Sequence, residues 1–162
     1  MTNLLAELQV IMKTSVNPQI EWDRHTGTSP LGGFHSALIW TRNGYSSSIS
    51  VNTHVLTYTD AVEAFRVISH ELRHAYQFEA GRRPGTHVIS QQTSDIWRRN
   101  HNSPVPQGVF VNGWPSREHM RSPIEFDAYF FTGHISIADF NSRFGRPEYF
   151  YGWSATFPFT LS

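Results

Sequence analysis

His70-Glu71-Leu72-Arg73-His74 places two imidazoles and a carboxylate within one short run, inside a segment, Val67 to Gln77, whose apolar spacing is helical. Four residues advance an α-helix by slightly more than one turn, so His70 and His74 stack on one face and can reach the same ion. Glu71 lies about 100° round from His70, close enough to reach a water on that ion without being a ligand. Two ligands and a base on one helix are what metal-assisted hydrolysis asks of a single element. A histidine pair at this spacing can also be two surface polar groups. The glutamate after the first histidine, the cap and the apolar neighbours weigh against that reading.

The helix is expected over about residues 61–80, with Asp60 as N-cap, Glu63 three residues on, and Gly81 where a left-handed C-cap is wanted. Val62, Phe65, Ile68, Leu72, Ala75 and Tyr76 form one apolar arc, with the histidines roughly opposite and flanked by Val67 and Phe78. Such a helix has its back in the core and its front on a cleft.

A catalytic zinc takes three protein ligands and one water, so a third ligand is needed from elsewhere. The position six residues after His74 is Ala80, which excludes a third histidine there. Glu125 is the first choice, because it opens a helix that can pack antiparallel to the histidine helix. Its segment, Ser122-Pro123-Ile124-Glu125, carries serine at the N-cap, proline at N1 and glutamate at N3, so Glu125 also has a capping role that needs no metal. Asp127 is the main rival; on a helix it points about 200° away from Glu125, so the two cannot both face the ion. His119 and His134 are weaker rivals as ligands. His119 and Tyr129, one turn after Glu125, are candidates for holding a tetrahedral oxyanion.

Other elements must position these groups. Leu4, Leu5, Leu8, Ile11 and Met12 make a short helix over residues 3–14, and Ile20 and Trp22 a first strand. Residues 34–41 and 45–51 form a hairpin about Asn43-Gly44, the second strand presenting Ser46, Ser48 and Ser50 on one face, as suits an edge strand. Residues 82–121 read as a long loop with exposed Trp97 and Trp114 and a helical turn or two at Ser94 to Asn100, either a lid over the cleft or a pinned surface loop. A helix over about 123–132 ends at Gly133, and another from Ser136 to Phe144 stops at Gly145. The aromatic tail from Tyr149 to Phe159 folds back on the core.

At 162 residues the chain has the size of one domain, 1–162. Its formal net charge is zero with no block of like charge, which gives no support to nucleic acid or an anionic membrane as partner. The absence of cysteine excludes disulfides, thiolate zinc sites and cysteine nucleophiles. No run reaches membrane-spanning length and no export signal follows Met1, so a soluble protein is expected, cytoplasmic or delivered by a secretion system. Lys13 is the sole lysine, a scarcity that resembles effector enzymes working where lysines accept ubiquitin.

The His70-to-His74 motif, the serine-rich strand before it and the later Ser122-Pro-Ile-Glu-Phe-Asp-Ala128 helix resemble the zincin metallopeptidases, specifically the gluzincin branch. The likeness covers roughly residues 45–133 and is closest to small single-domain bacterial and phage zincins, whose active helix often continues as His-x-x-Gln. It implies an α+β fold with a short, mainly antiparallel sheet. It further implies Zn2+ held by His70, His74 and Glu125, Glu71 as general base, and a protein or peptide substrate bound as an added strand along Tyr45 to Val51. The family's asparagine-glutamate pattern at short range after the second histidine is absent. An effector zincin with one host protein as target, and a non-enzymatic binding module on the same scaffold, are the alternative readings. A deformylase would need a cysteine ligand.

Overall fold

The computed structural model describes residues 10, 19–23, 33–41, 44–52, 61–83, 89–102, 115–133 and 136–145. Internal contacts divide the chain into two compact units, Met1–Tyr76 and Gln77–Ser162, and the boundary falls within one continuous helix, α1 (Ala61–Arg82).

In the first unit three backbone segments are extended: β1 (Gln19–Asp23), β2 (Gly33–Thr41) and β3 (Gly44–Asn52). Their order is β1-β3-β2, with β1 parallel to β3 and β2 antiparallel to it. Thr41 pairs with Gly44, one residue earlier than a turn at Asn43-Gly44 would allow. Because β3 is hydrogen-bonded on both sides, it is the central strand and has no free edge on which a peptide could add. The expected edge strand Tyr45 to Val51 is corrected accordingly.

The expected α+β fold on a mainly antiparallel sheet is overturned as well. The described residues from Ala61 to Gly145, which include the candidate site residues, are helical or connecting, with no strand or sheet among them. The extended segments upstream pair in a mixed arrangement. The physical reason is that downstream of Ala61 the chain repeatedly supplies helix starts and 3.6-residue apolar spacing, and nowhere among the described residues a period of two.

The second unit continues from α1 into α2 (Gln91–His101), α3 (Arg117–Met120), α4 (Pro123–Phe131) and α5 (Ile137–Phe144). Serine starts each of them. Ser90, Ser116 and Ser136 accept from the backbone N–H groups of Thr93, His119 and Asp139, satisfying donors that a helix start leaves orphaned. Gly133 and Gly145 follow α4 and α5 with φ of 67° and 77°, a region only glycine enters without strain. Met120, Phe126, Phe140 and Phe144 form the core here, with Phe126 edge-on to Phe140 at 4.5 Å and Tyr129 and Phe130 packed against the cluster.

The stretch 82–121 is not one loop. It contains the three turns of α2, and Trp97 is 1% exposed rather than an exposed aromatic. Segments 84–88 and 103–114, with Trp114, lie outside the described residues, as do the expected 3–14 helix apart from Val10, the caps at Asp60, and the aromatic tail.

Gly81, expected as a C-cap, lies inside α1 and is buried. A Cβ there would meet the Arg98 backbone nitrogen at 3.0 Å and its Cα at 3.2 Å, so glycine is what lets α2 cross closely. Ser94 seals the same crossing by donating to the Ala80 carbonyl at 2.7 Å. Gly81→Ala gains helix propensity of up to about 1 kcal/mol. It also forces backbone against backbone, an overpacking of about 1–3 kcal/mol. The expected outcome is net destabilisation, read as a lower melting temperature; an unchanged or higher one would contradict this account of the crossing.

Candidate metal centre

α1 is unusual in what it buries. Ser69, His70, Glu71, His74, Gln77 and Glu79 are all at or below 8% exposed, alongside the apolar Ile68, Leu72, Ala75, Tyr76 and Ala80. Apolar residues inside need no explanation, whereas a row of buried polar groups must be partnered or used.

The two histidines meet each other. Their Nε2 atoms are 3.1 Å apart, with ring centroids at 4.7 Å and planes at 86°. Without an ion, one ring donates and the other accepts. Two imidazoles on one tetrahedral zinc, each at 2.0–2.1 Å, would hold their nitrogens about 3.3 Å apart. The pair therefore already has the separation that a shared ion requires.

Glu125 joins them: the ligand atoms of His70, His74 and Glu125 all lie within 4.8 Å of one another. Its expected capping role is not realised. Ser122 is the N-cap of α4 but makes no side-chain cap bond, its hydroxyl is buried without a hydrogen-bond partner, and its N–H goes to the His119 carbonyl. Glu125 instead pairs with His119, Oε2 to Nε2 at 3.1 Å. A histidine on the second face of a ligating carboxylate fixes its orientation, the outer-shell device common at metal sites. His119 is itself set by Ser116, whose hydroxyl accepts from the His119 N–H at 3.2 Å.

Asp127 is not brought to the cluster. It is 2% exposed and accepts from the Gln77 amide at 2.5 Å, while the same nitrogen donates to the Ile124 carbonyl at 2.9 Å. Both hydrogens of the amide are thus used. This clamp ties α4 to Gln77, at the start of the last part of α1. Sequence reasoning assigned Gln77 no role. The signal that could have found it is its place one turn after His74, matched by Asp127 beside Glu125.

Glu71 is buried at 8% exposure directly after His70. Tyr129 is half-buried one turn past Glu125, its ring against the phenylalanine core. His134 lies outside the described residues. Among the described residues no helix is long and apolar enough to cross a membrane.

The donor set, two imidazoles and one carboxylate, is the His2Glu combination that suits a catalytic zinc with an open fourth position. No protein-family model, curated protein or solved structure matches the chain.

Proposed function

We propose that the chain is a zinc-dependent peptidase of gluzincin-like chemistry, with His70, His74 and Glu125 as ligands and Glu71 as general base. The observation that carries the reading is the convergence of those three ligand atoms within 4.8 Å, with a second carboxylate one residue from the first ligand. A zinc ion bound there supplies Lewis acidity, which polarises a carbonyl and lets water act as a nucleophile near neutral pH.

The protein's own groups do the rest. Glu71 removes a proton from the attacking water as its oxygen bonds to the scissile carbonyl carbon, and returns that proton to the leaving nitrogen as the C–N bond breaks. One water is consumed, and a carboxylate and a protonated amine result. His119 is a positioning residue that holds Glu125. Tyr129 is assigned to the oxyanion, a donor whose removal lowers rates by about 100 to 1000-fold in comparable sites. Tyr129→Phe is expected to fall in that range, and an unchanged rate would remove the tyrosine from the mechanism.

The reading is tested on unfolded protein substrates. Hydrolysis should stop when a chelator removes the metal and return when zinc is restored. Cleavage that persists in chelator would contradict it.

A further inference from the structure

Two buried polar atoms sit on the turn that leads from α3 into α4. His119 Nδ1 and the Ser122 hydroxyl are both shielded from solvent, and neither has a hydrogen-bond partner. A buried polar atom left unpaired carries its full desolvation cost, so each orphan in a native fold calls for an explanation. Two orphans on one turn call for a joint one. The Ser122 N–H donates to the His119 carbonyl at 3.0 Å, and side chains at the two ends of such a tight turn eclipse. The imidazole of His119 and the hydroxyl of Ser122 therefore lie on the same side of it. Capping does not account for the serine, because Ser122 makes no side-chain cap bond to α4. Solvation does not either, since the residue is 8% exposed.

The other groups of His119 define what its Nδ1 needs. The backbone N–H goes to the Ser116 hydroxyl at 3.2 Å, and Nε2 faces Glu125 Oε2 at 3.1 Å. An ionised carboxylate only accepts, so Nε2 carries the proton and, in a neutral ring, Nδ1 is left as an acceptor. A serine hydroxyl is the matching donor, and its oxygen moves between staggered rotamers about one bond. We propose that Ser122 is a positioning residue, whose hydroxyl turns to donate to His119 Nδ1 and locks the ring in the tautomer that holds Glu125 through Nε2–H. A chain Ser122–His119–Glu125 then reaches the ligand set from outside, the arrangement that orients a ligating carboxylate. This deepens the peptidase reading and rests on it for the metal alone; the hydrogen bond stands without one.

The test uses full-length, metal-free protein with isotope-labelled histidine at mildly alkaline pH, the His119 ring nitrogens being assigned by their loss in His119→Ala. Wild type should show a proton on Nε2 and a bare Nδ1 that accepts a hydrogen bond. In Ser122→Ala the Nδ1 resonance should shift to that of an unbonded imidazole nitrogen, and Ser122→Thr, which keeps the hydroxyl, should restore it. A proton on Nδ1 in wild type, or the same Nδ1 resonance in wild type and Ser122→Ala, overturns the proposal. Zinc titration then reads the consequence. Ser122→Ala should weaken zinc about tenfold, within the range of an outer-shell partner, and should add nothing in a His119→Ala background. A loss that adds in full there overturns the assignment, because Ser122 would then act without His119. An Nδ1 shift that responds to Ser122→Ala in a protein that takes up no zinc leaves the hydrogen bond standing and removes the peptidase reading.

Discussion

Glu71→Gln should lower peptide hydrolysis by about 100 to 10,000-fold, the range lost with a general base, while zinc content and thermal stability stay at wild-type values. Glutamine keeps the size and most of the hydrogen-bonding capacity of the side chain and removes its basicity. The site makes this separation possible because Glu71 is not among the converging ligand atoms, which belong to His70, His74 and Glu125. Burial strengthens the expectation: at 8% exposure the carboxylate is largely screened from bulk water, so solvent cannot readily replace it as proton acceptor. Single-turnover assays beside metal analysis would check it. Full activity in Glu71→Gln would end the mechanism, and loss of zinc together with activity would make Glu71 a ligand instead.

Glu125→Ala should weaken zinc binding by well over 100-fold, more than the roughly 10–100-fold typical of an outer-shell partner. His119→Ala serves as that outer-shell comparison, since its ring holds the Glu125 carboxylate at 3.1 Å without being one of the three converging residues. Asp127→Ala should behave differently from both. It removes an acceptor from the fully buried Gln77 amide and should lower stability by about 1–3 kcal/mol. Competition titration against a chelator of known affinity, with thermal unfolding alongside, separates the three. If Asp127→Ala loses zinc and Glu125→Ala keeps it, the ligand assignment is wrong.

The contrast between those two carboxylates shows where the sequence was readable. Helical geometry is local, so it was plain that Glu125 and Asp127 point apart and that His70 and His74 point together. The helix carrying the histidines runs Ala61–Arg82, close to the span its periodicity and caps indicate. Asp127 is held by Gln77 instead, an interaction across 50 residues that no local pattern encodes. The serine-proline start of α4 was legible as a helix start, yet the Ser122 hydroxyl makes no cap bond and Glu125 is turned to His119. Tertiary partners outweighed a local motif there.

Strand placement failed for the same reason. The serine-rich alternation of Tyr45 to Val51 describes one strand, whereas being an edge or a centre depends on its neighbours, and β1 pairs parallel along its far side. Trp97 was misread because the prolines and glycines around 82–121 suggested a loop. The three turns of α2 bury that indole instead.

The most direct test is elemental analysis of metal bound per chain in freshly purified wild-type protein, repeated after zinc is added and excess removed. The account predicts one zinc per chain, retained through gel filtration. Absence of zinc under both conditions would mean that His70 and His74 hold no metal, and the proposed hydrolytic function would fall with the site.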